Sequence, residues 1–208
     1  MKLLPRPSVQ TQIRLTRGMQ LVLIGIIVYG FAFAEPKAIT NGTMGILITL
    51  VPALLERTYD FPLDPWLGLW ITLAIFLHTM GSAGLYAQFA WWDHLTHAMS
   101  ASLVAAIGYT FGRAVDLHSD QITIPSQFAF AFILITVMAF GVIWELFEFG
   151  LDIAADATGI TMPVAQHGLD DTVRDMMFNT LGAVVVAVFG QAHLLGVAES
   201  VTERFSQL

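Results

Sequence analysis

The sequence predicts an all-α polytopic transmembrane bundle of about six helices with a cytoplasmic N-terminus. Three observations predict it. The 208 residues are 56% hydrophobic and only 12% charged, against roughly 25% charged in a soluble domain. Apolar runs recur at close to the ~20 residues that a spanning helix needs. Basic residues collect in alternate loops. A core made from 208 residues cannot hide such an apolar surplus from water, so the surplus faces lipid. The chain reads as one integral membrane domain over 1–208, with a cytoplasmic N-terminal segment at 1–18 and the motif-bearing part at about 65–195.

The spans are expected at 19–34, 38–55, 66–86, 92–112, 127–150 and 172–195. The first follows Arg14 and Arg17 and ends on Ala32-Phe33-Ala34, the layout of a signal peptide with an A-x-A site. We read it as a retained signal anchor that is also the first helix. The second is interrupted by Asn41, Gly42 and Pro52 and is the weakest. Pro- or Gly-bearing joints, Glu35-Pro36, 61–65 and 81–90, separate most of the rest.

Orientation follows from the basic residues. With the N-terminus cytoplasmic, Lys2, Arg6, Arg14, Arg17, Arg57, Arg113 and Arg204 lie inside, and only Lys37 and Arg174 outside. The inner side then also carries seven acidic residues, so the whole net charge of −7 falls on the outer side. That balance argues against nucleic acid as a partner. Cysteine is absent, which excludes thiolate metal sites and cysteine nucleophiles.

Three stripes hold most of the outer acidity. The fourth span opens on Asp93, His94 and His97, at helical spacing for one face. The fifth ends on Glu145, Glu148 and Asp152, and the sixth opens on Asp171, Asp175 and Asn179. At 1.5 Å per residue, His97, Glu145 and Asp175 reach the same layer, roughly 5–10 Å below the outer boundary. An ionised side chain facing lipid costs about 2.5 kcal/mol or more, so these groups must share protons, pair, meet water or bind metal. Arg174 is the one fixed positive charge nearby. A divalent ion, Zn, Mn or Fe, fits mixed imidazole and carboxylate donors.

On this reading Asp93, His94, His97, Glu148 and Asp175 are metal ligands, while Glu145 and Asp171 are catalytic. Asp152, His167, Asn179 and His78 are candidates to complete the set. The structural alternative is a polar clasp between helices, with Asp170 and Asp171 as helix caps and Asp156 and Asp170 solvated in a loop. His118 reads as solvated in the inner loop, and Trp91, Trp92, Trp144 and Tyr86 as an interfacial belt. The lipid-phosphatase, Gly-x-Ser-x-Gly and His-Glu-x-x-His motifs are absent.

The motifs Asp93-His94-Leu95-Thr96-His97, Trp144-Glu145-Leu146-Phe147-Glu148-Phe149 and Asp170-Asp171-Thr172-Val173-Arg174-Asp175 with Asn179 and Gly182 resemble the YjdF-like group of membrane proteins. That group is similar at longer range to VanZ-like proteins. The resemblance covers roughly 65–195 and implies a polar site; its VanZ side implies envelope or lipid-linked chemistry. The function expected is a metal-dependent membrane hydrolase acting on lipid-linked substrates from the extracytoplasmic side of the cell membrane. The alternatives are an accessory or structural subunit with partners in a membrane complex, and a proton- or ion-coupled transporter.

Overall fold

The computed structural model describes residues 6–60, 63–118, 124–159 and 168–205. All regular structure among the described residues is helical. The contacts divide the chain into two units, Met1–Gln88 and Phe89–Leu208.

In the first unit, α1 (Val9–Phe33), α2 (Pro36–Tyr59) and α3 (Pro65–Met80) pack on one another. Local chemistry sets their ends. Ser8 caps α1 by accepting from the Thr11 N–H at 3.2 Å. Asp64 caps α3 by accepting from the Trp66 N–H at 2.8 Å, with Pro65 in the first turn. Asp64 also pairs with Arg6 at 3.1 Å. A Cβ on Gly42 would stand 2.6 Å from Ile27, so the missing side chain lets α1 and α2 approach closely. After α3 a π-helical turn, Gly81–Leu85, leads into the short α4, Tyr86–Gln88. Here Tyr86 lies on Gly81 and its hydroxyl bonds His78 Nδ1 at 2.8 Å.

The second unit contains α5 (Ala90–His118), α6 (Ser126–Thr158), α7 (Leu169–Val185), a π-helical turn at Val186–Gly190, and α8 (Gln191–Phe205). Its centre is α5, which packs on α6, α7 and α8. Ala101, Ser102, Ala105, Ala106, Gly108 and Ala114 are all buried along it. Small side chains let three neighbours close in, the usual means of helix association in lipid. By contrast α6 turns Ile135, Phe140, Ile143 and Leu146 outward.

Five helices among the described residues are long and apolar enough to cross a membrane: Val9–Phe33, Pro36–Tyr59, Pro65–Gln88, Gln127–Thr158 and Leu169–Phe189. The span expected at 92–112 is present as α5, 29 residues long, but it is not among these five. Its residues face protein on several sides, so alanine, serine and glycine replace the large apolar side chains that lipid contact would select.

Several boundaries differ from the sequence reading. The fifth span continues past Gly150 to Thr158, so Asp156 lies in the last turns of α6 and not in a loop. Gly150 has no close neighbour, and nothing there interrupts the helix. Asp170 belongs to the first turn of α7, and His118 ends α5 instead of lying in a loop. Arg14 and Arg17 lie within α1. The expected joint at 81–90 is largely helical, because the π-helical turn absorbs the kink at Gly84. The sixth span is divided by the second π-helical turn.

Candidate functional site

The site is built from the start of α5, the second half of α6 and the first turns of α7. Asp93 and His97 are one turn apart on α5, with His97 Nε2 3.7 Å from Asp93 Oδ1. Asp175, on α7, places its Oδ1 3.6 Å from the same His97 nitrogen. One donor atom from each of the three residues lies within 4.8 Å of the other two.

Backbone packing holds this arrangement. A Cβ on Gly182 would collide with the Ala98 carbonyl oxygen and stand 3.1 Å from the Ser102 nitrogen. Glycine therefore lets α7 touch the α5 backbone directly, next to His97 in sequence and two turns from Asp175. Gly141 gives α6 a similar approach to Met176 and Asn179 on α7. Asp175, Asn179 and Gly182 thus form the buried stripe of α7, while Arg174 and Asp170 are exposed.

Glu145 is buried on α6, 6% exposed, and its Oε2 accepts a 2.8 Å hydrogen bond from the Thr172 hydroxyl of α7. Its other oxygen, Oε1, is buried without a hydrogen-bond partner, as is Asp175 Oδ1. A buried, unsatisfied polar atom is costly, and among the described residues only Gln12 Oε1 shares that condition. Asp93, Asp171 and Glu145 all act electrostatically on Asp175, and Glu145, Asp93 and Asp171 on Glu148. Five carboxylates therefore share one field, with the imidazole of His97 against two of them.

The remaining candidates are placed as follows. The His94 ring stacks on Phe178 of α7, with centroids 4.3 Å apart and planes at 10°, outside the three-residue cluster. Glu148, Asp152 and Asp171 are half-buried. Asn179 is buried below Asp175. His78 belongs to the first unit, where it bonds Tyr86, and His167 lies outside the described residues. Thr172 and Phe178 were not among the sequence candidates. Thr172 had one available signal, a hydroxyl one helical turn before Asp175; a stacking partner such as Phe178 leaves no mark in one sequence.

Hydrogen bonds between nitrogen and oxygen fall at about 2.7–3.2 Å, shorter than both His97 separations. Two ligands of one tetrahedral ion, each bound at about 2.0–2.2 Å, stand roughly 3.3–3.6 Å apart. The three donors can therefore hold a metal ion with small adjustments.

Residues 15–195 match the family described as predicted membrane protein (DUF2238). A protein of Thermotoga maritima described as an uncharacterized protein is 26% identical over 173 residues, covering 80% of this chain and 85% of its own length. No solved structure matches the chain.

Proposed function

The chain belongs to the DUF2238 family of predicted membrane proteins, and from that premise we propose that it is a metal-dependent membrane hydrolase holding a divalent ion on Asp93, His97 and Asp175. One observation carries the reading. Asp175 Oδ1 is buried without a hydrogen-bond partner, yet it stands 3.6 Å from His97 Nε2, a ligand-to-ligand separation. An ion among the three donors satisfies that oxygen and balances its charge.

One imidazole and two carboxylates suit Zn, Mn or Fe, and such an ion would supply an activated water near neutral pH. His97 and Asp175 bind and orient. Asp171, half-buried and on the same helix as Asp175, would act as the proton acceptor. Asn179 packs below Asp175 on the same α7 stripe. Seven basic residues against two on the positive-inside count support a site facing the extracytoplasmic side of the cell membrane. There the proposed substrates are envelope or lipid-linked, a class that rests on the motifs' resemblance to VanZ-like proteins alone.

The test is elemental analysis of the protein purified in detergent, with His97→Ala and Asp175→Asn beside it. Metal in wild type and its loss in both variants supports the reading. Wild type that stays metal-free after dialysis against Zn, Mn or Fe overturns it. Given metal, turnover on ester- and phosphoester-bearing envelope lipids in mixed micelles tests the hydrolytic part. Activity lost in His97→Ala is expected, and inactivity of the loaded protein across that panel contradicts it.

A further inference from the structure

We propose that His94 is a substrate-binding residue beside the ion, giving a ring N–H to an oxygen of a phosphoryl group. The proposal rests on the metal reading above and names the group that its substrate carries.

The stack on Phe178, with centroids 4.3 Å apart and planes at 10°, uses the face of the His94 ring. Both nitrogens lie on the ring's edge, and one of them carries a hydrogen even in the neutral imidazole. The residue is half-buried, and its nitrogens make no hydrogen bond or ion pair among the described residues. Neither nitrogen is sealed from the surface, so a ligand can reach that edge.

The stack also fixes where the edge stands. His94 precedes His97 by one turn of α5, and Phe178 follows Asp175 by one turn of α7. The His94–Phe178 stack and the His97–Asp175 contact at 3.6 Å are therefore adjacent crossings of the same two helices. His94 is outside the group at ligand spacing, yet only one turn from it. A turn rises about 5.4 Å, a gap that one group with several oxygens can bridge between ion and imidazole.

Other donors among the described residues of the site are committed elsewhere. Ionised carboxylates only accept. The Thr172 hydroxyl donates to Glu145 Oε2 at 2.8 Å, and His97 Nε2 faces Asp93 and Asp175. The Asn179 amide is buried against Gly141. Arg174 lies one turn before Phe178 on α7, exposed and without an ion pair to any described residue. A divalent ion, a guanidinium and an imidazole N–H together suit a group with several anionic oxygens. A phosphoryl group has them, and a neutral carboxylic ester does not.

The probes are inorganic phosphate and phosphatidic acid in mixed micelles. Each is titrated into Mn(II)-loaded protein, and binding is read from phosphorus NMR relaxation. His94→Phe keeps an aromatic ring for the stack and removes the donor. It should retain its metal and its melting temperature, yet bind the probe roughly tenfold or more weakly, as for a lost hydrogen bond to a charged group. Phe178→Leu keeps the donor but frees the ring, and should weaken binding by less. Tighter binding of phosphatidic acid than of phosphate identifies a lipid-borne group, and the reverse a soluble one; His94→Phe should lower either. Wild-type probe affinity in His94→Phe, with metal retained, overturns the proposal and leaves the metal reading standing. Loss of metal in His94→Phe would make His94 a ligand and overturn the proposal as well. Loaded wild type that binds neither probe also overturns it, and wild type that takes up no metal overturns both readings.

Discussion

The Thr172 hydroxyl of α7 donates to Glu145 Oε2 of α6 at 2.8 Å, tying together two helices that each contribute carboxylates to the site. The bond therefore orients Glu145 from the neighbouring helix instead of from its own. Replacing Thr172 by Val keeps the shape and removes this donor. The expected loss is about 1 kcal/mol of stability, in the range for side-chain hydrogen bonds between membrane helices. Thr172→Ser should restore it. Thermal unfolding in detergent checks both, and equal stability of Val and wild type would count against the bond.

Asp175→Asn should act in opposite directions with and without metal. In the stripped protein the buried carboxylate is a liability, at most about 2.5–3.5 kcal/mol on insertion scales, so the amide should unfold at a higher temperature than wild type. With metal present at 100 times its Kd, wild type should gain about 2.7 kcal/mol, and Asp175→Asn should gain little. Melting curves with and without added Zn(II) or Mn(II) measure this. A variant that still gains the full increment would show that Asp175 is not a ligand.

Gly182→Ala places a methyl against the Ala98 carbonyl and must push α7 away from α5. Overpacking of this kind costs about 1–3 kcal/mol. It should also weaken metal binding, because His97 precedes Ala98 and moves with it. Gly150→Ala, at a position with nothing within 4 Å, is the matched control and should leave both stability and metal affinity unchanged. Titration of each variant with Mn(II) separates the two outcomes.

The absence of cysteine makes topology directly measurable. Lys37 and Arg57 are both exposed near the two ends of α2. A single cysteine at position 37 should react with a membrane-impermeant maleimide on intact cells, and one at position 57 only after permeabilisation. The reverse pattern would put the site on the cytoplasmic side.

Much of this was legible in the sequence because the strongest signals are local. The helical class follows from apolar run length, and the Asp175, Asn179 spacing from a four-residue step along one helix. The partners of those stripes were less legible. His94 and His97 are equivalent as sequence, and only the position of Phe178 sends the His94 ring into a stack while His97 meets Asp175. Helix ends were misplaced where hydrophobicity fades before the backbone does. α6 continues through Asp152 and Asp156 to Thr158, since aspartate at this end breaks the apolar pattern without breaking helical hydrogen bonds. Likewise α5 hides its role behind small residues, which look weakly apolar yet mark the helix on which α6, α7 and α8 pack.

X-ray absorption at the zinc edge of the Zn-loaded protein tests the central assignment most directly. The account predicts an imidazole in the coordination sphere at about 2.0–2.1 Å, with oxygen donors completing it, and loss of the imidazole scattering in His97→Ala. A sphere of oxygen alone, identical in wild type and His97→Ala, would contradict it.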